Sequence, residues 1–180
     1  MVSVACLHGS KISTAFPGNL ILNNLREADM KLANPLVAKA ELLIRKPVAE
    51  VFEAFVDPDI ITKFWFDKSS GRLESGKSVQ WRWEAFDFSI DVRVKELLAN
   101  QRICIEWGVE KDKLTTVEWT FTPRTEDTTY VSIAVSGFSG DADKMVSEAL
   151  DSTGGFNLVI AAAKAWLEHG IQLNIVADRF

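Results

Sequence analysis

The eight residues GRLESGKS, at positions 71–78, match the phosphate-binding loop pattern G-x-x-x-x-G-K-[ST] at every fixed position. In such a loop, backbone N–H groups and a lysine hold the phosphates of a nucleotide where a buried strand gives way to a helix. Here the order is reversed, because a helical pattern precedes the loop and the alternating stretch SVQWRW follows it. Glu74 would also place a negative charge among the phosphates. The context therefore favours a turn that leads into a strand, and it argues against a nucleotide site.

Residue types that commonly act as nucleophiles or metal ligands are sparse in this chain. It has two histidines, His8 and His169, and two cysteines, Cys6 and Cys104. These numbers exclude a histidine-rich metal site and a disulfide framework, and the cysteines lack C-x-x-C spacing. Cys104 falls on the polar side of an alternating strand, with no histidine nearby in sequence, so we do not expect it to be a nucleophile. The sequence thus predicts no catalytic residue, no metal ion and no cofactor.

Charged residues could still form a catalytic set if their strands brought them together. Oppositely charged pairs across neighbouring strands are, however, the usual surface pattern of a sheet. A strand bulge would reverse the alternation and could turn Glu84 or Asp87 inward, which would supply a carboxylate for general acid–base catalysis. We expect the surface arrangement for six charged residues that alternate with apolar ones, which are Arg82, Asp91, Arg93, Arg102, Glu106 and Glu118.

Aromatic residues are the most distinctive part of the composition, with six tryptophans and eleven phenylalanines in 180 residues. Four of the tryptophans fall on the apolar side of their predicted strands. Such rings can fill a core, or they can form the wall of a ligand cavity. We expect most of them to pack in the core and an aromatic-walled cavity to lie near one end. The residues predicted to line that cavity are Phe52, Phe64, Trp65, Trp81, Trp83, Trp107, Trp119, Phe156 and Ile160.

The elements that position these residues begin with a strand and two helices. The stretch AKAELLI at 38–44 is typical of a strand. Pro47 suits the first turn of a helix, and apolar residues then recur at i, i+3, i+4 and i+7 from Val48. Asp57 and Pro58 predict the N-cap and first position of a second, shorter helix.

An antiparallel meander is predicted for the middle of the chain. Five stretches alternate apolar and polar residues, and the short polar segments at 99–101, 111–113 and 124–128 are predicted to be turns. This alternation gives the sheet one apolar face and one polar face. The five stretches are 79–83, 88–94, 103–107, 117–121 and 131–135.

The last part of the chain has helical periodicity. Asp141 is a good N-cap for a first piece, and a second piece begins at Phe156, after the break expected at Thr153-Gly154-Gly155. Gly170 predicts the C-terminal end. An amphipathic helix of this length needs an apolar surface to cover, and the apolar face of the sheet is the only large one that the sequence offers.

Composition and charge narrow the functional classes. The net charge of −5 and the isoelectric point near 5.1 argue against binding to nucleic acid or to an anionic membrane surface. No apolar run approaches the roughly 18 residues that a membrane helix needs. The first residues lack the basic region of a signal peptide, so a cytoplasmic location is the default expectation.

Residues 1–36 differ from the rest because glycine, serine, proline and asparagine, which favour turns and loops, recur along them. We expect an irregular extension with one short helix at 20–32, and Met30 could even be an internal start. A single domain is predicted for 37–180.

Two segments resemble a known family. RKPVAEVFEAFVDPDIITKFWF, residues 45–66, resembles the signature of the activator of heat-shock-protein-90 ATPase homologue family, within the START-like superfamily. DSTGGFNLVIAAAKAWLEHG, residues 151–170, resembles the C-terminal G-W-x-x-x-L helix of that family, with Phe156 where tryptophan is usual. The resemblance implies an α+β helix-grip fold, in which a curved antiparallel sheet wraps around a long C-terminal helix.

Three functions are compatible with these observations. The first is non-catalytic binding of a small hydrophobic or aromatic ligand between the sheet and the C-terminal helix. The second, implied by the family, is a chaperone-linked protein-interaction module, as a monomer or a homodimer. The third is a cyclase-like or hydrolytic enzyme that uses the same cavity. Fold-level resemblance does not separate these functions.

Overall fold

A computed structural model of the protein describes residues 35–109, 113–175 and 178. Most of the predicted extension, its helix at 20–32, His8, Cys6 and most of the turn predicted at 111–113 lie outside the described residues. The domain predicted from residue 37 onwards can therefore be compared with the structure, whereas the prediction for the extension remains a prediction.

An antiparallel sheet of seven strands forms the body of the described structure. The spatial order is β1-β7-β6-β5-β4-β3-β2, so each of the predicted meander strands pairs with the next one in sequence. The predicted N-terminal strand β1 closes one edge against β7, and a two-residue strand, β2, extends the other edge. The strands are β1 (Ala38–Ile44), β2 (Lys68–Ser69), β3 (Ser78–Trp83), β4 (Phe88–Leu98), β5 (Arg102–Trp107), β6 (Thr115–Thr125) and β7 (Thr128–Ser136).

Two short helices follow β1, as the sequence predicts. Helix α1 covers Val48–Val56 and helix α2 covers Pro58–Ile61. Asp57 caps α2, because its Oδ1 accepts a hydrogen bond of 2.9 Å from the backbone N–H of Asp59, and Pro58 occupies the first position. The apolar side of α1 is buried, and Phe55 is only 1% exposed.

The C-terminal helix α3 is continuous from Ala142 to His169, so the predicted break is wrong. Asp141 caps its start, and Gly170 ends it in the left-handed conformation with φ 67°. The glycines at 154 and 155 lower helix propensity, but packing of later residues against the sheet outweighs that cost. Phe156 and Ile160, immediately after the glycines, are 6% and 1% exposed.

The two faces of the sheet differ as predicted. The inner face, which faces α1 and α3, buries Trp81 and Trp119 to 1% exposure each. On the outer face, Arg102 lies 2.6 Å from Glu118 and 2.9 Å from Glu96, so the charges pair across neighbouring strands. Cys104 lies on the outer face, as predicted, in the row between Glu96 and Glu118. Its small side chain is nevertheless only 8% exposed, and burial raises the pKa of its thiol.

Candidate ligand-binding site

The loop that matches the phosphate-binding pattern serves as a connection between strands. The backbone N–H of Gly76 donates to the carbonyl of Val94 at 2.9 Å, and the N–H of Val94 donates to the carbonyl of Lys77 at 2.9 Å. Lys77 pairs with Glu74 at 2.6 Å, and β3 starts at the next residue, Ser78. No helix begins in this loop, so the arrangement that would bind phosphates is missing there.

An open cavity of about 580 Å³ lies between the inner face of the sheet and the middle of α3. Its walls come from β3, β4, the end of β5, the segment after α2, and one side of α3. The volume falls within the usual range for small-molecule sites. The lining residues are Trp65, Trp83, Phe86, Phe88, Ile90, Trp107, Asp151, Ser152, Gly155, Phe156, Leu158 and Val159.

Three rings from different elements form the inner wall of the cavity. The ring centroid of Trp65 lies 5.9 Å from that of Trp107 and 5.6 Å from that of Phe156. Trp107 and Phe156 are 6.0 Å apart. These separations are typical of favourable aromatic contacts, so the wall is held by the rings themselves. Contacts among the rings therefore fix the shape of this wall.

The rim of the cavity is aromatic and accessible to water. Phe86 is 41% exposed and Phe88 is 38% exposed. They flank the turn between β3 and β4, where Asp87 adopts a left-handed conformation with φ 46° and accepts a 2.7 Å hydrogen bond from Arg82. The ring of Phe88 packs against Trp83 at 5.7 Å. A ligand could enter beside these rings without displacing the core.

The polar side chains of the lining come from α3. Asp151 and Ser152 lie one helical turn before Gly155 and Phe156, and they place a carboxylate and a hydroxyl beside the rings. Among the described lining residues, Asp151 is the one with an ionisable side chain. The cavity thus combines an extensive apolar wall with one negative charge.

The residues predicted from the sequence to line a cavity divide into two groups. Trp65, Trp83, Trp107 and Phe156 line the cavity described above. The others pack deeper in the core, where they support it from behind. Those deeper residues are Phe52, Phe64, Trp81, Trp119 and Ile160, all at most 6% exposed.

Contacts among the deeper rings are close. Trp81 stacks on Phe66 at 4.4 Å, and Trp119 lies 6.1 Å from Trp65. Phe64 packs edge-on against Phe55 at 5.4 Å. Phe66, Trp81 and Trp119 all contact Trp65, which itself lines the cavity.

Sequence reasoning missed most of the other lining residues of α3. Asp151, Gly155 and Leu158 follow one another at spacings of four and three residues, about one turn each, so they lie on one side of the helix, next to Phe156. That signal is present in the sequence, but the predicted break at Gly154-Gly155 concealed it. Phe86 was missed because it belongs to a turn, where alternation carries no information.

The carboxylates that a bulge could have turned inward lie outside the cavity. Glu84 is exposed and pairs with Lys68, and Asp87 is exposed and pairs with Arg82. The bulge in β4 lies instead between Val94 and Glu96. No group of three or more potential metal ligands occurs among the described residues.

A second groove of about 670 Å³ lies on the outer face of the sheet. Its charged lining residues are already paired, since Arg93 lies 3.8 Å from Glu106 and Gln80 donates to Asp91 at 3.3 Å. This groove is therefore an ordinary polar surface, and the aromatic cavity is the better candidate. None of the described helices is long and apolar enough to cross a membrane.

Comparisons with known proteins agree with this architecture. The sequence profile of the family described as activator of Hsp90 ATPase homolog 1-like protein matches residues 45–163. Protein SSP2350 from Staphylococcus saprophyticus has a similar structure, with a TM-score of 0.67 and 28% identity over 77% of this chain and 96% of that one. The Aha1 dimer from Colwellia psychrerythraea is similar in fold, with a TM-score of 0.64 and 19% identity over 75% of this chain and 98% of that one.

DynU16, a protein from the dynemicin biosynthetic locus, shares the same fold. Its TM-score is 0.65 and its identity is 23%, over 76% of this chain. The match spans 48% of DynU16. A search of the curated proteins finds no match.

Proposed function

The chain belongs to the family of activator of Hsp90 ATPase homolog 1-like proteins, and we propose that it binds a small apolar or aromatic ligand in the cavity between its sheet and α3, without catalysing a reaction. The observation that carries this proposal is the cavity of about 580 Å³, with aromatic rings on its inner wall and its rim. Apolar pockets of this size bury most of a small ligand, and burial of apolar surface supplies the affinity.

Preorganisation supports the same proposal. Trp65, Trp107 and Phe156 hold one another in place, so a ligand would bind without first ordering the wall. Binding is stronger when the site does not lose conformational freedom. The exposed rings of Phe86 and Phe88 would lose contact with water when a ligand covers them.

Calorimetric titration with naphthalene methanol, a neutral aromatic probe, tests this proposal. We expect saturable binding at one site per chain. Ser152→Phe fills the cavity from α3 and should weaken binding by about tenfold or more, which corresponds to a loss of about 1.4 kcal/mol. Ser147→Phe is the matched control, because Ser147 is exposed on the same helix and lies outside the lining. Equal binding by both variants would contradict the proposal.

A second pair of variants removes rings instead of adding one. Trp83→Ala should weaken the binding of naphthalene methanol because Trp83 lines the cavity. Trp166→Ala is its control, since Trp166 is also half-buried against the core but lies outside the lining. If Trp166→Ala weakened binding as much as Trp83→Ala, the effect would come from general loss of structure.

The same variants separate ligand binding from a chaperone-linked interaction. An interaction module that works through its outer surface would retain its protein partner in Ser152→Phe, where the cavity is filled. A ligand-dependent role would be lost in that variant and kept in Ser147→Phe. Pull-down of a heat-shock-protein-90 chaperone by the two variants therefore distinguishes these functions.

A further inference from the structure

The charge of the cavity points to the chemical class of its ligand. Six aromatic rings line the cavity, and its ionisable lining residue among those described is Asp151. No lysine, arginine or histidine occurs among these lining residues. The environment is therefore negative in two ways, through the carboxylate and through the electron-rich faces of the rings.

We propose that the cavity selects an apolar or aromatic ligand that carries a protonated amine, and that Asp151 is a specificity-determining residue for it. This inference rests on the proposed function, because it concerns the same cavity. A cation near tryptophan and phenylalanine rings is attracted by their quadrupoles. A carboxylate on the cavity wall adds a direct ionic partner on one side.

The opposite charge is disfavoured by the same features. A carboxylate on the ligand would meet Asp151 and the ring faces, and none of the described lining residues is a cation that would offset the repulsion. The net charge of the chain, −5, adds a weaker effect of the same sign. Fatty acids and aromatic acids should therefore bind worse than neutral or cationic ligands with the same apolar part.

The position of Asp151 suits this role even though it has contacts of its own. It is exposed, so the carboxylate is hydrated and accessible from the rim. A carboxylate offers about four acceptor positions on two oxygens, so an existing contact leaves capacity for an ammonium group. Ser152, beside it, supplies a hydroxyl that can accept another of the three ammonium hydrogens.

Three probes with the same apolar part separate charge from burial. Naphthylmethylamine is a cation at neutral pH, naphthalene methanol is neutral, and naphthoic acid is an anion. We expect the amine to bind about threefold to tenfold more tightly than the alcohol, and the acid to bind most weakly. The advantage of the amine should decrease with added salt, because salt screens charges at an exposed rim.

Asp151→Asn removes the charge and keeps the shape. We expect it to weaken binding of the amine by about twofold to fivefold and to leave binding of the alcohol unchanged. Asp143→Asn is the matched control, because it changes the net charge equally on the same helix. It lies eight residues away, about 12 Å along the axis, which exceeds the screening length at physiological salt.

The outcomes distinguish the two proposals. If the alcohol binds and the amine has no advantage, or if Asp151→Asn weakens both probes equally, the charge selectivity is wrong and the ligand cavity stands. Tighter binding of the acid would also overturn it. If none of the three probes binds, the proposed function fails and the selectivity fails with it.

Discussion

The ring of Trp65 lies 5.6 Å from the ring of Phe156, with their planes 71° apart. This edge-to-face contact joins the segment after α2 to the middle of α3. On its other side, Trp65 contacts Trp81 at 5.0 Å and Trp119 at 6.1 Å. Trp65 therefore belongs both to the core and to the cavity wall.

This dual position predicts two effects of Trp65→Leu. Loss of ring contacts should lower the free energy of unfolding by about 1–3 kcal/mol, as measured by urea denaturation. The same variant should change the affinity for naphthalene methanol, because it reshapes the wall. Phe52→Leu should lower stability similarly and leave affinity unchanged, since Phe52 is 6% exposed and lies outside the lining. A change of affinity in both variants would contradict this division.

In the loop 71–78, we expect Arg72 to matter more for stability than Lys77, the lysine that would be essential in a phosphate-binding loop. In such a loop the lysine is the essential side chain. Here Arg72 makes paired hydrogen bonds with Glu53 of α1, one of them 2.7 Å long, and the pair lowers the pKa of Glu53. Lys77 pairs locally with Glu74, three residues away.

We therefore expect Arg72→Ala to lower the free energy of unfolding by about 0.5–1 kcal/mol, because both partners are partly exposed. Lys77→Ala should change it by less than about 0.5 kcal/mol. Chemical denaturation of the two variants measures the difference. A larger loss in Lys77→Ala, or nucleotide binding that depends on Lys77, would contradict our interpretation of the loop.

How far the sequence predicts this structure depends on the length of each pattern. Strands β3 to β7 alternate over five or more residues, and Asp57-Pro58 marks a helix start by local chemistry, so both predictions are confirmed. The turn that carries Phe86 is too short to show a hydrophobic period, so the sequence pattern does not predict that Phe86 lies at the cavity rim.

The continuity of α3 could not be read from local propensity either. Two adjacent glycines predict a break, because each lowers helix stability by about 1 kcal/mol relative to alanine. The helix nevertheless continues through the glycines, because burial of Phe156 and Ile160 against the sheet stabilises it. Long-range packing therefore overrides the local preference at Gly154 and Gly155.

Two glycine substitutions should change the free energy of unfolding in opposite directions, because one glycine lies inside the helix and the other ends it. Gly154 is exposed within α3, so Gly154→Ala should raise the free energy of unfolding by about 0.5–1 kcal/mol. Gly170 has φ 67° and no atom within 4 Å of an added Cβ, so strain arises from the backbone alone. Gly170→Ala should lower stability by about 1–2 kcal/mol. Equal effects in thermal denaturation would show that conformation does not determine the outcome.

The C-terminal part of α3 is tied to the end of β1 by a charged network. Lys164 donates from Nζ to the carbonyl of Leu43 at 2.8 Å and also pairs with Glu168. The backbone N–H of Arg45 donates to Oε1 of Glu168 at 2.6 Å. Burial alone would raise the pKa of Glu168, but the hydrogen bonds from Lys164 and Arg45, with the charges of both residues, hold it below its ordinary value.

This depressed pKa predicts how stability depends on pH. A carboxyl with a lower pKa in the folded state stabilises the protein above its unfolded pKa, near 4.3, and the contribution disappears as pH falls through the folded pKa. Glu168→Gln should therefore lower the free energy of unfolding by about 1–3 kcal/mol at pH 7. The difference from the unmodified protein should start to shrink below about pH 5, where the carboxyl of the unfolded chain begins to take up a proton, and it should disappear as pH falls through the lower pKa of the folded state.

Urea denaturation at pH 7, 5 and 4 measures this difference, and Glu50→Gln provides the control. Glu50 is exposed on α1 and pairs at 2.8 Å with Lys46, which precedes the helix, so its substitution should change stability by less than about 0.5 kcal/mol. Comparing variants at each pH cancels the titration of all other groups. A deficit of Glu168→Gln that grew towards acid pH would mean that the network favours the neutral carboxyl. The link between α3 and β1 would then not depend on its charge.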